Sequence, residues 1–119
     1  MTKYVPIIIT ALALAGCSGT EAQKNQDRLG ALEASYTIAQ NGAILYRGLT
    51  PCATNPTPPC RDFQTYLKIQ EIDRRATAAI EAAHARVRLN PSDAAIPGLI
   101  AAAQAAVNDL SQSTPKAIR

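Results

Sequence analysis

The sequence predicts an all-α fold: an antiparallel helical hairpin stapled by a disulfide, with a third, shorter helix folding back to complete a small three-helix bundle. Three observations carry this. Apolar residues recur at spacings of three and four in three separate segments, which marks one face of an α-helix. Pro51, Pro56, Pro58, Pro59, Pro91 and Pro97 lie between those segments or at the head of the third. Cys52 and Cys60 bracket the loop that joins the first two.

The chain opens on a segment outside that bundle. Lys3 is followed by an apolar run from Val5 to Leu14 and then by the small residues Ala15 and Gly16 before Cys17. A cation, a short apolar stretch and small residues form the layout of a secretory signal peptide. A membrane span needs roughly 20 apolar residues, and this run has about half of that, which argues against a permanent transmembrane anchor.

Leu14, Ala15, Gly16 and Cys17 resemble the lipobox of bacterial lipoprotein precursors at every position. The resemblance implies that residues 1–16 are removed, that the Cys17 thiol carries diacylglycerol, and that Cys17 becomes an acylated first residue. Acyl chains then replace a spanning helix, each buried methylene contributing about 0.8 kcal/mol. In lipoproteins of Gram-negative bacteria an aspartate after the cysteine favours inner-membrane retention, whereas here Ser18 follows. The resemblance thus points to the inner leaflet of the outer membrane with the body in the periplasm; the outer surface of a Gram-positive membrane stays open.

The first helix has Leu29, Leu32, Tyr36, Ala39, Ala43 and Tyr46 on one face. Thr20 with Gln23 three residues on offers a capping box, although a start one or two turns later is equally open, so residues 17–28 are a lipidated N-terminus and linker or the start of this helix. Gly30 and Gly42 weaken the helix by about 1 kcal/mol each relative to alanine, and Asn41 with Gly42 could end it; the favoured reading is one helix ending near Gly48 with a weak point at Gly42.

Once Cys17 is lipidated, Cys52 and Cys60 form an even count in an exported chain, which favours a disulfide across "CATNPTPPC". A redox pair has two intervening residues, and a zinc site needs further ligands, which the lone His84 does not supply. Closing so short a loop stabilises a fold by about 2 to 3 kcal/mol on the chain-entropy account. The same proline-rich loop has extended character that could also serve as a ligand, with a plain spacer the simpler reading.

The second helix, predicted over residues 61–89, has the stripe Tyr66, Ile69, Ala76, Ile80, Ala83 and Val87, interrupted only by Asp73. Asp62 in its first turn and Arg86 and Arg88 in its last complement the helix dipole, and Glu71 with Arg75 offers an i,i+4 pair. Pro91 stops it, because proline cannot continue the hydrogen-bond ladder. After a short turn over residues 91–95, a third helix is predicted from Pro97 to Leu110, with Ile96, Ile100, Ala103, Val107 and Leu110 on its apolar face. These segments make one helical domain over residues 29–111, with the loop 52–60 inside it. Residues 112–119 have no periodicity and read as a flexible tail.

The chain has no tryptophan, one phenylalanine and a formal net charge of +3, which falls to +2 when Lys3 leaves with the signal segment. Interspersed charges and so small an excess argue against nucleic acid as a partner. A core built largely of alanine is thin, and self-association into a homo-oligomer is one way to add burial. Tyr36, Tyr46, Phe63 and Tyr66 are the large side chains nearest the stapled end and form the candidate interaction patch, with plain core filling as the alternative.

Chemistry is sparse. His84 has no acid partner by pattern, the serines lie outside any nucleophile elbow, no glycine loop cradles phosphate, and Glu71 and Asp73 point to different helix faces. No catalytic residue, metal site or cofactor is expected beyond the covalent lipid on Cys17. The expected role is a membrane-anchored structural or protein-interaction module of the cell envelope, with a periplasmic protein partner. Two other readings stay open: a phage or mobile-element lipoprotein acting in lysis, exclusion or immunity, and a helical inhibitor or chaperone of a periplasmic protein. Outer-membrane spanin subunits also join a lipobox to proline-rich segments, but here the prolines gather around the loop and third helix. Murein lipoproteins share the lipobox and heptads, yet bind peptidoglycan through a terminal lysine, whereas Lys116 is internal and Arg119 is last.

Overall fold

The computed structural model describes residues 19–115. The signal segment, the lipobox and Cys17 lie outside these, as do the last four residues of the predicted tail. Three helices follow one another: α1 Glu21–Arg47, α2 Phe63–Leu89 and α3 Ile96–Ser113. Together they form the all-α, three-helix bundle that the periodicity predicts.

Thr20 caps α1, its hydroxyl oxygen accepting the Gln23 N–H at 3.2 Å. The helix thus takes the earliest of the starts considered, and residues 21–28 are helix rather than linker. Leu29, Leu32, Ala39 and Tyr46 are buried, while Tyr36 and Ala43 pack against the core half-buried. The weak point expected at Gly42 does not break the helix, which runs through Asn41 and Gly42 without interruption. A Cβ at Gly42 would lie 3.5 Å from the methyl of Thr114 at the end of α3, so this turn is braced by a neighbouring helix. Tertiary packing there outweighs the local propensity cost.

The connection from α1 to α2 is closed by the Cys52–Cys60 disulfide, with Cα atoms 5.0 Å apart. Beside it the Arg61 N–H bonds to the Thr50 carbonyl at 2.9 Å and the Cys52 N–H to the Arg61 carbonyl at 3.0 Å. Both ends of the loop are therefore tied by backbone bonds as well as by sulfur.

α2 starts at Phe63, with Asp62 as its cap rather than a first-turn residue; the carboxylate accepts the Thr65 N–H at 2.9 Å. The buried stripe is Ile69, Ile72, Ala76, Ile80 and Ala83, so Ile72 joins the predicted face. Glu71 pairs with Arg74 at 3.2 Å, not with Arg75. Both partners are exposed, so the pair adds little.

Asn90 and Asp93 organise the turn into α3, their side-chain oxygens accepting the Ser92 N–H at 3.3 Å and the Ala95 N–H at 2.8 Å. Ile96, Ile100, Ala103, Val107 and Leu110 are buried as the spacing predicts. The helix continues one turn beyond Leu110 to Ser113, so the flexible tail expected from residue 112 is corrected. Thr114 is buried, its hydroxyl donating to the Leu110 carbonyl at 3.3 Å. Its contact with Gly42 explains why the chain stays ordered past the last apolar repeat.

The helices run up, down and up. Asn25 of α1 meets Pro91 after α2, and Tyr46 at the end of α1 meets Asp62 at the start of α2. Leu32 of α1 borders Ile100 of α3, and Gly42 borders Thr114, so α1 and α3 are parallel. The closest pairing is α2 with α3, not the stapled α1–α2 hairpin. Ala76, Ala83 and Ala103 have no exposed surface and let those two backbones approach, whereas α1 and α2 are bridged by longer polar side chains.

Candidate functional site

The stapled end is built by the chain around Tyr46. This ring is buried at the last turn of α1, and its hydroxyl accepts the Asp62 N–H at 2.7 Å, fastening the head of α2. Arg61 crosses the same end, with Nη1 donating to the Arg47 carbonyl at 2.7 Å. That bond satisfies one of the carbonyls left open at the end of α1. The guanidinium carbon lies 5.2 Å from the centre of the Tyr66 ring, a cation–π contact. Tyr66 in turn accepts the Gln70 side-chain amide at 2.8 Å. The Asp62 carboxyl is held below its usual range, chiefly by the Thr65 N–H and then by the Thr65 hydroxyl.

Further along the α1–α2 seam, the Tyr36 hydroxyl donates to Asp73 Oδ1 at 2.7 Å and lies 2.9 Å from the Thr77 hydroxyl. It also accepts the Gln40 amide at 3.2 Å. Asp73, the one polar break in the α2 stripe, is therefore the acceptor for a tyrosine on α1. Burial pushes the Tyr36 phenol above its ordinary range, and the Asp73 carboxylate raises it further. His84 Nε2 contacts Glu33 Oε1 across the same seam. Sequence pattern showed no acid partner for His84, because the two residues sit on different helices.

The four aromatic residues do not make a single exposed surface. Tyr46 is core, Tyr36 and Tyr66 are half-buried in polar networks, and Phe63 alone is exposed, at 65%. Other exposed apolar residues stand toward the same end: Ile44 on the α1–α2 side of α1, Leu45 on its α3 side beside Ser111 and Thr114, and Leu67 one turn into α2. A shallow groove between the two helices runs past Ile44, Arg47, Tyr66 and Gln70. Ile44, Leu45 and Leu67 were missed as site residues, yet each carries a signal: a large apolar side chain one position off the predicted stripe, beside Ala43, Tyr46 and Tyr66. Ile38 lies on α1 about two turns further from the stapled end, and Leu89 at the opposite end of the bundle.

No group of three or more His, Cys, Asp or Glu side chains gathers among the described residues in a way that would hold a metal ion. None of the described helices is long and apolar enough to cross a membrane. Comparison of the chain with protein-family models, with curated proteins and with solved structures finds no match in any of the three.

Proposed function

We propose that the mature protein begins at Cys17, is held to the periplasmic face of the outer membrane by lipid on that thiol, and acts without catalysis as a structural or protein-interaction module of the cell envelope. The motif Leu14-Ala15-Gly16-Cys17 supports the anchor. The observation that carries the role is the polarity of the bundle. α1 begins four residues after Cys17 and runs for 27 residues without a break. At 1.5 Å per residue it separates its two ends by about 40 Å. The end remote from Cys17 is the one closed by the disulfide, and it bears Ile44, Leu45, Phe63 and Leu67 in exposed positions.

In this reading the helices are a stiff spacer, and the staple fixes the shape of the surface offered to a periplasmic partner. Exposed aliphatic and aromatic side chains beside a rigid loop supply the apolar anchors on which protein interfaces depend. Mass spectrometry of the exported protein tests the anchor: a diacylglyceryl-modified Cys17 at the mature N-terminus is expected. Cross-linking in envelope fractions tests the surface. The double variant Leu45→Asp, Phe63→Asp, which changes only exposed positions, is expected to lose the cross-linked species while melting as the parent does. Recovery of the same species from the variant would place the contact elsewhere.

A further inference from the structure

We propose that the Leu89 end of the bundle docks on the lipid surface itself, so that the protein stands end-on on its membrane. The inference rests on the lipid-anchor reading and names a second contact beyond the acyl chains. The Thr20 cap stands only three positions after Cys17 in sequence. A fully extended stretch of that length reaches at most about 11 Å. The head of α1 is thus confined close to the lipid headgroups.

That head lies beside the α2–α3 turn, because the side chain of Asn25, one turn into α1, donates to the Pro91 carbonyl at 2.9 Å. At this end the last residue of α2, Leu89, is 81% exposed, the most exposed large apolar residue among those described. Exposed Ala94 and Ala95 follow in the turn, and exposed Arg86 and Arg88 precede it. Arg86 is engaged with Asp93 at 3.5 Å, while Arg88 makes no ion pair among the described residues. A leucine flanked by an unpaired arginine suits the boundary between headgroups and acyl chains: the leucine enters the apolar layer and the guanidinium reaches back to phosphate.

The chain has no tryptophan, so Leu89→Trp introduces a single indole at an exposed position. The full-length lipidated variant is reconstituted into vesicles of phosphatidylethanolamine and phosphatidylglycerol, with and without brominated acyl chains. A companion Leu67→Trp variant reports on the stapled end. The indole at position 89 is expected to shift to the blue on reconstitution and to lose more than half its emission to brominated lipid, while that at position 67 does neither. Equal and negligible quenching at the two positions, in protein that floats with the vesicles, overturns the docking and leaves the anchor standing. A blue shift at position 89 that depends on protein concentration and not on bromine assigns this end to a second copy of the chain and also overturns it. Protein that does not float with vesicles contradicts the anchor reading and the docking with it.

Discussion

The side-chain amide of Asn25 donates to the main-chain carbonyl of Pro91 at 2.9 Å, joining the first turns of α1 to the turn between α2 and α3 across 66 residues of sequence. Asn25 is 1% exposed, and its Oδ1 has no hydrogen-bond partner among the described residues. This bond closes the bundle at the end nearest Cys17, as the disulfide closes it at the other. Losing the donor to this part-buried carbonyl costs about 0.5 to 1.5 kcal/mol, since the partnerless Oδ1 leaves with it. Asn25→Ala is expected to lower stability by that amount in urea unfolding, with the midpoint reduced and the slope unchanged.

Tyr36 gives a pH dependence. Its phenol titrates above the ordinary 10.0 because burial, with help from Asp73, favours the neutral form in the folded chain. A raised folded value means that the contribution is complete below the unfolded value and is lost as pH rises through the folded one. Stability is therefore expected to fall above about pH 10, and Tyr36→Phe should flatten part of that fall. At neutral pH the same variant leaves Asp73 and Thr77 without their shared partner, costing about 1 kcal/mol at this half-buried site. Denaturant titrations of both proteins from neutral to alkaline pH measure the two effects together.

Gly42 is a helical glycine with room for a methyl group. A Cβ there would meet the Thr114 methyl at 3.5 Å, ordinary van der Waals contact, and the backbone has no positive φ. Gly42→Ala is expected to stabilise the fold by about 0.5 to 1 kcal/mol, through helix propensity and a less flexible unfolded chain. Gly30, where an added Cβ would meet nothing within 4 Å, should respond in the same direction. A lower melting temperature for Gly42→Ala would mean that α1 and α3 leave no room for a methyl group there.

The disulfide should contribute to the fold without being its sole support. Cys52→Ser with Cys60→Ser is expected to cost about 2 to 3 kcal/mol by releasing the loop in the unfolded state. The backbone bonds of Arg61 with Thr50 and Cys52, together with Tyr46 on Asp62, remain to hold the end. Helical circular dichroism should therefore survive reduction, while the melting temperature falls by roughly 10 °C for a domain of this size.

Helices α2 and α3 were legible because their core faces obey a simple period: every residue predicted for α3, from Ile96 to Leu110, is buried. Periodicity also found the α1 face, and Thr20 with Gln23 marked its first turn. It could not find Asn25, Thr114 or the Glu33–His84 contact. A buried polar residue is defined by its partner, and those partners lie on other elements or far along the chain. For the same reason Gly42 read as a weak point, since its brace is Thr114. The pairing preference of α2 for α3 was likewise hidden, because alanine marks a close approach only when the facing helix is known. Of the candidate patch, Phe63 is exposed, whereas Tyr36, Tyr46 and Tyr66 are occupied at the seam and stapled end of α1 and α2.

The most direct test of the account is where the protein resides when Cys17 is changed. Parent and Cys17→Ser chains are expressed in a Gram-negative bacterium, and membrane and soluble fractions are separated. The account predicts that the parent is in the outer-membrane fraction as a lipid-modified form, and that Cys17→Ser loses the modification and leaves that fraction. A Cys17→Ser protein that fractionates with the outer membrane as the parent does would contradict it.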